Sequence, residues 1–122
     1  MALTYRIDAE TGVIYSRFEG EITLEGIQEH TRRLHADPAF RPGLVQIAEV
    51  ASIRPHVDFN EMYGFVRWVA TLVPIDKTAI VAPENNAFGM ARMYAQLSEG
   101  SPGKVEAFRD MASARHWLGL PE

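Results

Sequence analysis

LVQIAEVASIRPHVDFNEMYGFVRWVATLVPIDKTAIVAP, residues 44–83, reads as strand, link, helix and strand, and this order decides the fold. Residues 44–50 (LVQIAEV) are short and rich in β-branched and aliphatic side chains, as a central strand requires, with Gln46 and Glu49 as polar members. Residues 51–57 read as an irregular link. Asp58 is a helix cap with Glu61 three residues later, the acidic form of a capping box. Behind it Phe59, Met62, Tyr63, Val66, Val69, Ala70 and Val73 make a broad apolar face. Phe65, Trp68 and Leu72 widen that face nearly all round, and such a helix is either deeply buried or covers a partner. Residues 77–82 (KTAIVA) are the next strand, closed by Pro83. Strand, helix and strand in this order call for an open sheet with helical crossovers.

The same tempo extends in both directions. Leu3, Tyr5 and Ile7 alternate with Thr4, Arg6 and Asp8, a half-buried strand. Residues 9–12 (AETG) turn, with Gly12 free to take positive φ, and residues 13–19 return as the second arm of a hairpin. Gly20 is expected to end that arm. Thr23 caps a first helix, with Glu25 near its positive end. Leu24, Ile27, Thr31 and Leu34 form its inward stripe, and Asp37-Pro38 stops it. Downstream, Asn85 or Asn86 caps a third helix over 87–98, and GSPG (100–103) is a loop. Val105, Ala107 and Phe108 mark the last strand. Asp110 or Ser113 caps a short final helix carrying Ala114, Trp117 and Leu118, with Gly119 at its end. The expectation is one α/β domain over residues 1–122: a mixed sheet of four or five strands, begun by an N-terminal hairpin and continued by βα units, with four helices.

Composition narrows the function classes. The chain has 122 residues, 47% hydrophobic and 23% charged, ordinary for one globular domain. It has no cysteine, which excludes disulfides, thiolate catalysis and sulfur-ligated metals. A net charge of −4 disfavours nucleic acid, which needs a basic face. The one basic cluster (Arg32, Arg33, His35, Arg41) contains Asp37 and reads as a solvated helix end. Residues 1–10 are too polar for a signal peptide. The longest apolar stretch, residues 65–75, is interrupted by Arg67 and Pro74 and falls far short of the ~20 residues that span a bilayer. A cytoplasmic protein without membrane span, cofactor or metal is expected.

Four texts carry a family resemblance: the opening hairpin leading into FEGEITLEGI (18–27), LVQIAEVASI (44–53), KTAIVAP (77–83) and VEAFRDMASARHWLGL (105–120). The chain resembles the SpoIIAA-like/STAS family, the anti-sigma-factor-antagonist fold, over nearly its whole length. The resemblance implies non-enzymatic work. STAS modules bind kinases, anti-sigma factors or transporter partners, and many are switched by phosphorylation of a serine at the start of the helix after the third strand. Here the corresponding text, RPHVDF (54–59), has no serine, and Asp58 is the nearest match. A helix start favours negative charge, so a permanently acidic version is implied. The SpoIIAA-like branch is also associated with apolar ligands held in a crevice, which suits the apolar second helix.

In an open α/β sheet, ligands sit outside the carboxyl ends of the strands. Glu49, Ser52, Arg54, His56, Asp58, Glu84, Asn85 and Asn86 are expected near that rim. His56 with Asp58 and Glu49 is an acid/base or metal-binding candidate, though a loop histidine and a capping aspartate explain the pair more simply. Ser52 lacks the glycines of a nucleophile elbow. His30 and His35 stand five apart, wrong for the four-residue spacing of zinc-binding helices, and His116 beside Trp117 reads as surface. The run FGMARMY (88–94) is the most unusual: Gly89 costs about 1 kcal/mol in a helix, and close approach by a helix, partner or ligand would justify it. Met90 and Met93 add adaptable contact surface, and Tyr94 an apolar body with a polar tip.

Three functions follow. The first is a STAS-type regulatory module binding another protein, as a homodimer. The second is a carrier or sensor of an apolar small molecule, in a crevice between helices two and three lined by Phe59, Tyr63, Val66, Trp68 and Met90; Phe88, Gly89, Met93 and Tyr94 join them as ligand or interface residues. The third is a small enzyme using His56, Asp58 and Glu49.

Overall fold

The computed structural model describes residues 2–121. Its elements run β1 (Ala2–Asp8), β2 (Val13–Thr23), α1 (Leu24–Ala36), β3 (Val45–His56), α2 (Phe59–Val69), β4 (Lys77–Val81), α3 (Asn85–Leu97), β5 (Lys104–Phe108) and α4 (Met111–Leu118). The five strands lie in the order β1-β2-β3-β4-β5. β1 and β2 are the antiparallel hairpin, turned by Gly12 at φ +74°, and every later neighbour is parallel. This is the expected mixed α/β sheet with four helices.

Strand order explains the layering. Each crossover moves one strand further in the same direction, and right-handed crossovers of that kind stay on one face. α1, α2 and α3 therefore share a face. Ile14 packs with Leu34 there, and Ala48 and Ile80 with Ala87 and Ala91. The opposite face receives α4, where Val13, Ile47, Ala79 and Val81 meet Ala114 and Trp117. Alternate residues of β2, β3 and β4 thus point into different cores, so the central strands read as continuous apolar runs.

Two boundaries differ from expectation, and they are coupled. Gly20 does not end β2. It takes φ +76°, the register shifts between Glu19 and Gly20, and the strand continues to Thr23. Residues 51–57 are not an irregular link, because β3 runs to His56 and pairs with that continuation. Ser52, at φ +50°, falls out of register between Ala51 and Ile53, a bulge that twists both strands. β4 pairs with β3 only as far as Glu49, which leaves Pro55 an open edge.

The helix signals mostly hold. Thr23 accepts from Gly26 N, and Asp58 and Glu61 form the capping box. Asp110 rather than Ser113 caps α4, and Gly119 ends it at φ +75°. α2 stops at Val69 with Ala70 as its cap, so Leu72 and Val73 lie in the segment that follows. Neither Asn85 nor Asn86 caps α3; Glu84 occupies the cap position without a side-chain bond, and Asn85 is the first helical residue. No helix among the described residues is long and apolar enough to cross a membrane.

Candidate functional site

Beneath α2 lies a cavity of about 220 Å³. Its floor is the sheet, through Gln46, Ala48, Val50, Thr78, Ile80 and Val105; α2 roofs it with Met62, Phe65 and Val69. Ile27, His30, Thr31 and Leu34 of α1 form one wall, and Ala87, Met90, Ala91 and Tyr94 of α3 the other. Short side chains make the space. Ala48 on the floor and Ala87 and Ala91 on the wall are buried yet reach little way toward α2, which packs between α1 and α3 instead of pressing onto the strands.

The lining is mostly hydrocarbon, and among the described residues no Asp, Glu, Lys or Arg reaches it. Its polar groups are few. Across the floor, Ser16 Oγ donates to Gln46 Oε1 at 2.6 Å, and Gln46 Nε2 donates to Thr78 Oγ1 at 3.3 Å. On the α1 wall, His30 is 3% exposed. Edges of Tyr5 and Phe18 pack against its ring at 5.7 and 5.1 Å between centroids. Among the described residues neither of its nitrogens has a partner. Burial, helped by the Arg33 charge, pushes its pKa down to about 4, so the ring is neutral at pH 7. Burial likewise pushes the Tyr94 phenol up to about 12.

His35 stands at the mouth. Its Nδ1 lies 3.0 Å from the Thr31 carbonyl and its Nε2 3.1 Å from that of Val73, joining α1 to the turn after α2. Both partners are acceptors, so a neutral ring donates to only one at a time. Phe40 covers the ring at 4.4 Å.

The cavity lies between α2 and the sheet, with α3 as one wall; of the nine expected ligand or interface residues, Met90 and Tyr94 line it. Phe59 and Tyr63 point outward, 55% and 46% exposed, and stack on each other at 6.5 Å. Val66 is buried, Trp68 is half-buried beneath Arg32 at 5.4 Å, and Phe88 lies under Arg109 at 4.2 Å. Met93 is half-buried. Gly89 is exposed, and a Cβ there would meet nothing within 4 Å, so no close approach inside the chain explains it.

The rim residues gather only in part. Arg109 Nη1 donates to Asn85 Oδ1 at 2.6 Å, and Ser52 N donates to Glu84 Oε1 at 2.8 Å, tying the β3 bulge and the ends of β4 and β5 together. His56, Asp58 and Glu49 are paired elsewhere. Glu49 faces Arg17 at 3.6 Å, His56 faces Glu21 at 3.2 Å, and Asp58 caps α2. Six strand residues lie between Glu49 and His56, which are roughly 20 Å apart. Arg54 and Asn86 are exposed. No group of three metal-ligating side chains forms among the described residues.

Sequence reasoning missed His30, Gln46 and Thr78 as site residues. His30 was legible in principle, since it falls three after Ile27 and four before Leu34, on the inward stripe of α1.

No protein-family model matches the chain, and no curated protein matches its sequence. Among solved structures it is similar to an uncharacterized protein of the DUF3478 family from Shewanella loihica, described as having a SpoIIAA-like fold. The TM-score is 0.60 at 16% identity, over 96% of this chain and 92% of that one. Hairpin, parallel βα units and full-length likeness agree: the chain has a SpoIIAA-like fold.

Proposed function

We propose that this chain is a non-enzymatic binding module whose occupant is a small, mainly apolar molecule held under α2. One observation carries the reading: an apolar cavity of about 220 Å³ with a polar pair, Gln46 and Thr78, in its floor, the lining that small-molecule sites show. The resemblance to the ligand-holding SpoIIAA-like branch supports it. A gently purified sample examined by native mass spectrometry, together with displacement of an environment-sensitive lipid dye, tests it. Dye binding is expected in the wild-type chain and not in Ala91→Leu, which fills the cavity from α3. Absence of both bound mass and dye binding would reject the reading.

A second reading is a STAS-type regulatory module in the cytoplasm, docking a protein partner or a second copy. The stacked, exposed Phe59 and Tyr63 at the start of α2 favour it, as does the carboxylate of Asp58 where the resemblance expects a phosphorylated serine. Sedimentation at increasing concentration, with Phe59→Ser and Tyr63→Ser beside the wild type, tests self-association. A wild type that stays monomeric, and retains no partner in pull-downs, removes this reading.

A further inference from the structure

Among the described residues that line the cavity, Val73, Pro74 and Pro102 are the exposed ones. Val73 and Pro74 stand in the segment that enters β4 at Lys77, and Pro102 in the loop that enters β5 at Lys104. The opening therefore lies at the amino ends of these parallel strands. Ligands of open α/β sheets usually sit beyond the carboxyl ends. Here that end of the lining is covered: Ile53, on the continuation of β3, and Met62, in the first turn of α2, are both buried.

The polar pair of the floor marks the same end. Gln46 and Thr78 are each the second residue of their strand, and they are partners in the β3–β4 register. Both are half-buried. Gln46 Nε2 donates to Thr78 Oγ1 at 3.3 Å. The amide keeps a second N–H and the hydroxyl keeps its own O–H. Two donors thus stand side by side just inside the opening. Further in, the lining continues through Ala48, Val50 and Ile53 under Met62, hydrocarbon and one thioether. Gln46 to Val50 alone spans about 13 Å of strand.

Donors call for an acceptor. A carboxylate only accepts, and its charge-assisted bonds are roughly twice as strong as neutral ones. At the opening its remaining lone pairs stay in water, which avoids the cost of burying a charge. An apolar cavity of roughly 150 Å³ takes a benzene ring. The space here, about 220 Å³, is half as large again, which suits an aliphatic tail of medium length.

We infer that the occupant is an unbranched carboxylate of medium length, bound tail first through the amino-end opening, with its head on Thr78 Oγ1 and Gln46 Nε2 and its tail beneath Met62. This rests on the reading of the chain as a small-molecule binder and adds the class of the ligand and its direction.

The test compares octanoate with octylammonium, which share a tail and differ in a head that accepts or donates. Calorimetric titration of the wild-type chain is expected to show octanoate binding about tenfold tighter. Thr78→Val replaces the hydroxyl by a methyl group of similar size. It is expected to weaken octanoate about tenfold and to keep lipid-dye binding. Direction is read on the wild type, without any variant: nuclear Overhauser contacts are expected from the terminal methyl of octanoate to Met62, and from its first methylene to Thr78. Octylammonium binding equally or better, or octanoate unaffected by Thr78→Val, would overturn the head assignment. A terminal methyl in contact with Thr78 instead of Met62 would overturn the direction. If octanoate does not bind while a lipid dye does, this inference fails and the small-molecule reading stands. If neither binds, both fall.

Discussion

The ring of Phe18 meets that of His30 edge-on, with centroids 5.1 Å apart and planes at 63°. A strand residue thus seals in a titratable helix residue whose side chain has no hydrogen-bond partner among the described residues. The contact fixes the sign of a pH effect. Burial first, and the Arg33 charge second, push His30 from 6.5 to about 4. Between those values the unfolded chain holds a proton that the folded chain does not. Stability therefore falls as pH drops through this window. The expected loss at pH 4 relative to pH 7 is on the order of 2 kcal/mol. Asp8, Asp37 and Asp110, held below the usual 3.8 chiefly by bonds from Thr11, Ala39 and Ser113, add their losses at lower pH. Urea midpoints across the window should slope in the wild type and flatten in His30→Phe; an unchanged slope would assign the effect elsewhere.

Gly64 and Gly89 sit on exposed helix surface, and a Cβ at either would meet nothing within 4 Å. Neither is needed for a positive φ. Alanine at each position should stabilise the chain by about 0.5–1 kcal/mol, a rise of roughly 2–4 °C in Tm. If a partner's backbone does approach Gly89, Gly89→Ala will raise Tm yet weaken that complex. Thermal melts with and without the partner separate the two effects.

The architecture was legible because it is written in local signals. The capping box at Asp58 and Glu61, the turn at Gly12 and the αL end at Gly119 each specify an element from a few neighbouring residues. The extension of β3 was not, because nothing in Ile53, Arg54, Pro55 and His56 alternates. Their strand exists through pairing with Gly20, Glu21, Ile22 and Thr23, more than thirty residues earlier in the chain. The site was half legible. The apolar surplus of α2 showed in its composition, but not its distribution. The void under the helix exists because Ala48, Ala87 and Ala91 meet in space, which spacing along the chain does not reveal.

Gly103 is a position where glycine is required. It has φ +84°, and a Cβ there would collide with the Ile75 carbonyl. The next residue, Lys104, donates from its backbone to Asp76 O at 3.0 Å, which sets the start of β5 against the segment entering β4. Gly103→Ala combines left-handed strain with backbone displacement. It should cost about 1–3 kcal/mol and lower Tm by several degrees. Because Pro102 and Gly103 also line the cavity, dye affinity should fall in the same variant. A melt indistinguishable from wild type would contradict the geometry.

The last prediction concerns the roof. Asp58 Oδ1 accepts from Glu61 N at 2.8 Å, Glu61 Oε1 accepts from Asp58 N at 3.1 Å, and this pair holds the first turn of α2. Met62, whose amide closes that turn onto Asp58 O at 3.0 Å, is part of the cavity roof. Asp58→Ala should cost about 1 kcal/mol of global stability. Its larger effect should be local, since an uncapped first turn opens in fluctuations smaller than global unfolding. Amide exchange at Met62 should accelerate more than exchange in the strands, and a bound dye should dissociate faster. Asp58→Ser keeps an oxygen cap without the charge. Dissociation close to wild type in that variant identifies capping as the role of Asp58, whereas loss in both variants assigns the role to its negative charge.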